Sequence, residues 1–265
     1  MTNSIEIPTD IKFLNWLSTV LFGFFILILL SGLLLKFIIN TPAGLQGIVI
    51  RGDVIHHDAS SFRENVVPNV QGNFYTINLN QVQASFESLP WISKAIVRRN
   101  FPNRLEVILQ EHQPVAVWGK RDDSKMVNVA GVVFDSSVDD EEAERLPQFI
   151  GPDGQSKLML EMYRQLVPLI SPLNTKLQKL ELSSRGSWIV MLEDGAQIEL
   201  GRGSIEVISD RANQFANTLN LVTSKFGKSG NVFQYADLRH SDGYALRLNG
   251  VKTVNPLDLK STVKK

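Results

Sequence analysis

The chain has 265 residues, 43% of them hydrophobic, and its 27 basic side chains balance 27 acidic ones. That length suits two modest domains with a core each, and a net charge of zero argues against nucleic acid, which a basic surplus would announce. There is no cysteine, so a disulfide framework, a zinc-thiolate site and a cysteine nucleophile are all excluded.

Residues 1–12 are too short to fold by themselves. Phe13 to Leu35 then runs without a charge, and Asn15, Ser18, Thr19 and Ser31 are its polar residues. At helical rise this stretch reaches roughly 34 Å, enough to cross a hydrocarbon core. A cleaved signal peptide would have a shorter apolar run ending at a small-residue site. Here Lys36-Phe37 follows instead, so 13–37 is expected to be a retained transmembrane helix. Orientation is not legible from charge: Lys12 faces Lys36 and Arg51 across the span, with Glu6 and Asp10 on the short side.

A Pro/Gly hinge, Asn40 to Gln46, releases the chain into the next region. Ile48 to Ile50 read as a strand, and Asp58 opens a helix over 59–67 that Pro68 ends. Asn78 caps a second helix with Gln81 as a box partner, and Leu79, Val82, Phe86 and Leu89 form its apolar face. After Pro90 come two alternating runs around the turn Asn100-Phe-Pro-Asn103. Leu105, Val107 and Leu109 point inward, with Glu106, Ile108 and Gln110 outward. Trp91 and Phe101 are expected in the core, and Arg98 and Arg99 on a wet sheet face. The order strand-helix-helix-strand-strand, over 44–113, packs two helices on a three-stranded sheet.

From 114 to 250 the texture is β-rich. Strands are expected at 115–118, 125–129 and 132–134, then an acidic solvated loop from Asp139 to Glu144. An amphipathic helix at 158–170 precedes strands at 177–182, 188–192 and 196–200. Ser204 caps a longer helix to about Val222, and strands at 232–238 and 244–248 follow. Residues 251–265 lack a core pattern and are read as a mobile tail. The fold class is therefore α+β behind one membrane helix.

No catalytic constellation emerges. His56-His57-Asp58 has a poor spacing for metal ligands and reads as a loop with a cap. Gly201-Arg-Gly-Ser204 lacks the lysine and spacing of a phosphate loop and reads as a strand end with a helix cap. The serines of 183–187 lack a nucleophile-elbow pattern. No enzyme, metal, cofactor or small-molecule substrate is expected.

Three stretches carry a resemblance: "LPWISKAIVRRNFPNRLEVILQEHQPVAVW" (Leu89–Trp118), "SSRGSW" with "IELGRGS" (Ser183–Ser204) and "FQYADLRHSDGYALRL" (Phe233–Leu248). The first resembles the end of a POTRA domain. The other two resemble the β domain of the FtsQ/DivIB bacterial cell-division family, and the whole chain follows that family's order. The resemblance implies a short cytoplasmic end, both folded regions in the periplasm, and a place at the division septum of the inner membrane. It implies a scaffold without catalysis that binds FtsB and FtsL and links early components such as FtsK to the septal synthases FtsW and FtsI. The alternative is a POTRA-bearing secretion or assembly scaffold, which would need a barrel or channel downstream.

A terminal strand with an unpaired edge can accept a partner's strand. In the family FtsB adds there, its acidic residues meeting basic ones that fall, by motif position, on Arg185 and Arg239. His240, Ser241, Asp242 and Gly243 lie at the same contact, and Tyr244, Leu246 and Leu248 alternate along the strand. This sequence has His240 where the family often has Tyr, and Asp242 where it often has Ser.

Overall fold

The computed structural model describes residues 9–40, 44–52, 54–56, 62, 64, 66, 68, 70–136, 140–227, 232–240 and 243–251. Helix α1, Thr9–Asn40, contains a stretch, Asp10–Phe37, of mean hydropathy 2.5. None of its residues from 10 to 37 is buried. A helix of that length whose apolar side chains all remain exposed suits an apolar solvent.

The chain divides into two compact units, Met1–Glu111 and His112–Lys265. In the first, β1 (Gly47–Arg51), α2 (Leu79–Glu87), β2 (Ile92–Asn100) and β3 (Arg104–Glu111) follow in order. The sheet runs β1-β3-β2, with β1 parallel and β2 antiparallel to β3. The helix expected at 59–67 falls mostly outside the described residues, although Phe62 and Val66 are buried in this unit's core. Asn78 caps α2 through Oδ1, which accepts the amides of Asn80 and Gln81. Val82 and Phe86 of α2, with Leu89 just beyond it, share a core with Leu105, Val107 and Leu109 of the central strand.

Central placement changes what the outer face of β3 does. Glu106, expected outside, is only 7% exposed. Arg51 and Arg98, from the strands on either side, both bind its carboxylate. Their hydrogen bond and charges, Arg98 first, hold the Glu106 carboxyl below the usual carboxylate range. Trp91 is buried as expected, with the His56 ring stacked on it. Phe101 is not: it sits at the β2–β3 turn, 71% exposed, with its ring edge-on to Phe74. A turn tip lies beyond the helix cover, so an aromatic there cannot reach the core. Arg99 also departs from the expected wet face. It donates to the carbonyls of Phe74, Tyr75 and Ile77 and so ties the loop before α2 to the sheet.

The second unit holds β4 (Pro114–Trp118), β5 (Lys125–Asn128), β6 (Val133–Asp135), α3 (Asp140–Arg145), β7 (Gln148–Ile150) and α4 (Ser156–Ile170). Then come β8 (Leu177–Leu182), β9 (Ser187–Leu192), β10 (Gln197–Arg202), α5 (Ile205–Ser224), β11 (Phe233–Asp237) and β12 (Ala245–Leu248). Among the described residues one sheet runs β12-β11-β10-β9-β8-β7-β4-β5-β6. Helices α4 and α5 pack on each other and on the sheet, burying Met159, Leu166, Ile208, Phe215 and Leu219 against Leu180, Val190 and Ile198. The acidic stretch after residue 139 is a short helix, not a loop. Strand β7 has no counterpart in the sequence reading, because three residues show no period. Its place comes from parallel partners on both sides, β4 and β8.

Candidate partner-binding edge

Strand β12 ends the sheet. Its ladder with β11 sets Asp237 opposite Ala245, Ala236 opposite Leu246 and Tyr235 opposite Arg247. Beyond that ladder the Asn249 amide still donates to the Val232 carbonyl, while the Leu238 amide turns the other way, to Glu199 of β10. Backbone groups alternate sides along a strand, so Ala245 and Arg247 point at β11, and Leu246 and Leu248 point away from it. The N–H and C=O of Leu246 therefore meet no strand among the described residues.

The side chains of this strand are already engaged. Tyr244 stands edge-on to Phe215 with ring centroids 5.0 Å apart, and its hydroxyl is 2.9 Å from Thr218 Oγ1. Leu246 packs against the core and Leu248 is buried within it. What these three residues present outward is backbone. Ala245 and Arg247 expose their side chains on the other face.

Arg239 follows β11 and is held hard. Its Nε and Nη2 grip both oxygens of Asp237, at 2.8 and 2.6 Å, and Nε lies 3.1 Å from Glu199. The Arg239 amide also donates to Asp237 Oδ1. These bonds, with the guanidinium charge, hold the nearly buried Asp237 carboxyl down at about 2. Arg239 in turn is raised above the ordinary arginine value, first by the Asp237 bond and then by the charge of Glu199.

Gly201 explains the Gly-Arg-Gly-Ser run. It lies at φ 79°, beside a register shift in β10, and a Cβ there would stand 2.8 Å from Arg239 Cγ. The glycine lets the Arg239 stem lie across the strand. Arg211 of α5 closes the same corner by donating to the carbonyls of Leu200 and Arg202. Ser204 caps α5 through the Val207 amide, so this run is a bulge and a cap.

Arg185 is different. It is exposed at the tip of the β8–β9 turn, which the Gly186 and Ser187 amides close on Ser183. Because β9 is antiparallel to β10, and β10 parallel to β11, the turn, the end of β10, Arg239 and the start of β12 share one end of the sheet. Strands β9 and β11 are two apart, about 10 Å at ordinary sheet spacing. Of the remaining expected site residues, His240 is exposed and Gly243 half-buried, while Ser241 and Asp242 lie outside the described residues. The Asp237 and Glu199 carboxylates around Arg239 were missed in the sequence. An acid two residues before an arginine shares its face in extended chain, and that spacing was the available signal for Asp237, while Glu199 had none.

The profile of the POTRA domain, FtsQ-type, matches residues 45–112, and that of the FtsQ/DivIB C-terminal domain matches residues 116–239. The chain is 33% identical over 250 residues to the cell division protein FtsQ of Burkholderia pseudomallei, covering 94% of this chain and 97% of that one. The chain belongs to the FtsQ cell-division family. It is also 32% identical to FtsQ of Thiomonas arsenitoxydans, over 93% of this chain and 90% of that one, and 34% identical to FtsQ of Aliivibrio fischeri, over 76% and 75%. The part of the first unit from residue 45 onward is thus an FtsQ-type POTRA domain, and the second unit is its β-rich companion. The second profile stops at residue 239, before β12 begins.

Proposed function

We propose that this protein is a non-catalytic scaffold of the division septum. It is anchored in the inner membrane by α1, with its N-terminus in the cytoplasm and both folded units in the periplasm. Its β-rich unit binds FtsB, and through FtsB and FtsL it links early components such as FtsK to the synthases FtsW and FtsI. The observation that carries this reading is the open edge of β12, whose Leu246 backbone groups face away from β11.

An added strand takes its affinity from main-chain hydrogen bonds and its selectivity from flanking side chains. Arg185 and Arg239 flank that edge at one end of the sheet, and they differ in what they offer. Arg239 comes with Asp237 and Glu199 attached, so the cluster as a whole is not cationic and serves as a fixed donor. Arg185 projects from a turn into solvent and is the group that steers an acidic partner segment. Arg185→Glu abolishes FtsB binding with the second unit still folded, and an acidic-to-basic change in FtsB partly restores it. Binding titrations of the full chain with the FtsB periplasmic segment check this, and wild-type affinity for Arg185→Glu sinks the reading.

A further inference from the structure

The β2–β3 turn holds an aromatic tip in solvent. Phe101 is 71% exposed and Tyr75 48%. Both rings stand edge-on to the buried ring of Phe74, with centroids 5.1 and 5.2 Å from it. Arg99 fastens the loop of Phe74 and Tyr75 to β2 through three carbonyls, so the two exposed rings belong to one tied end of the sheet. Single exposed apolar residues are ordinary on a protein surface, but neighbouring aromatics on one projection mark a contact surface.

Charge at this end has one sign. Segments 44–47, 73–78 and 99–104 contain Arg99 and Arg104 and no acidic residue. They meet here: the Gln46 amide donates to the Asn103 carbonyl at 3.0 Å, and Gly47 pairs with Arg104. Arg104 is exposed. This is also the end that receives the chain from α1. The six steps from Asn40, where α1 stops, to Gln46 span about 20 Å at full extension. The tip therefore stays within reach of the end of the apolar helix. The far end of β3 is different. There the Ile55 amide binds the Glu111 carboxylate, about 25 Å along the strand from the tip.

We propose that this tip seats in the surface of the bilayer that α1 crosses, with Phe101 and Tyr75 at headgroup depth and Arg104 on anionic headgroups. The proposal rests on the anchoring by α1 proposed above, and it holds whichever side of the membrane the unit occupies. Aromatic rings suit the water–lipid boundary, and the tyrosine hydroxyl stays wet while its ring does not. An arginine stem lies along apolar surface while its guanidinium remains with the phosphates. Pro102 has no N–H to leave unpaired there. A tether alone lets the unit tumble. A second contact at the tethered end orients it, so that the Glu111 end points away from the lipid.

The absence of cysteine allows single nitroxide labels at chosen depths. The full chain carries Asn100→Cys at the tip, Ile55→Cys at the far end or Leu27→Cys within α1, in nanodiscs of phosphatidylethanolamine and phosphatidylglycerol. Oxygen relaxes the Asn100 label more than a water-soluble nickel chelate does, the Ile55 label shows the reverse, and the Leu27 label reads the bilayer interior. An Asn100 label as open to the chelate as Ile55, with Leu27 still in lipid, overturns the proposal and leaves the anchoring standing. A Leu27 label open to the chelate overturns both. Shielding of the Asn100 label from both reagents marks contact with protein, a second copy of the chain, and overturns the lipid assignment. Phe101→Ser with Tyr75→Ser returns the Asn100 label to water with the melting curve unchanged, and an unmoved label overturns the role of the rings. Phosphatidylcholine in place of the anionic lipid, or Arg104→Gln, moves the label outward. No movement in either case overturns the part assigned to Arg104.

Discussion

Two arginines at one end of a sheet do different work because of what surrounds them. Arg239 holds two carboxylates and lies over Gly201, whereas Arg185 stands in water at a turn tip. Removing Arg239 leaves Asp237 nearly buried with its ion-pair partner gone, which is costly in a low-dielectric setting. Arg239→Ala therefore lowers the thermal midpoint of the second unit, and Arg185→Ala leaves it unchanged; calorimetry of the two variants decides. The pair also has a pH signature. The folded value of Asp237, about 2, lies below the ~3.9 of a solvated aspartate. Its contribution is complete above about pH 4 and disappears as pH falls from about 4 to 2. The acid-unfolding curve of wild type over that range is steeper than that of Arg239→Ala. In the first unit, Leu105 is fully buried on the central strand. Leu105→Ala costs about 2–5 kcal/mol, measurable by denaturant unfolding, and a loss well below that range would put the hairpin face the wrong way round.

At the scale of elements, β12 separates two functions that usually coincide. Its side chains complete the core while its outward backbone groups meet no strand among the described residues. Proline scanning tells them apart. The Arg247 amide faces β11, so Arg247→Pro breaks the ladder and destabilises the unit. The Leu246 amide faces outward, so Leu246→Pro retains the fold and loses FtsB binding. Leu246→Ala is the control for the side chain and retains binding. Circular dichroism melts alongside binding titrations read out all three, and binding by Leu246→Pro at wild-type strength would remove the edge from the mechanism. The hairpin β2–β3 shows the same economy in the first unit. Its inner face packs on α2, its outer face binds Glu106 between two arginines, and Arg99 reaches back to hold the loop before the helix. One short segment does three structural jobs, which accounts for its dense pattern of alternating, basic and aromatic residues.

For the molecule as a whole, a long apolar exposed helix opens the first of two units, each with a core of its own. With the N-terminus in the cytoplasm, a C-terminal reporter active only in the periplasm works and one active only in the cytoplasm does not; the opposite result reverses the proposed topology. Much of this plan was legible in the residues. The long apolar helix, the strand hairpins, the cap at Asn78 and the cap at Ser204 all depend on neighbours within a few positions, where periodicity and capping chemistry act. Motif order pointed to the family for the same reason. What the sequence did not disclose depends on partners far along the chain. Strand β7 exists because β4 and β8 flank it, Glu106 is covered because β3 is central, and Phe101 is exposed because the turn projects beyond the helix. Arg239 gains Glu199 as a second carboxylate because the parallel register of β10 and β11 brings Glu199 beside Asp237. Local spacing decides which elements form, and the tertiary ladder decides which face and which edge each of them keeps.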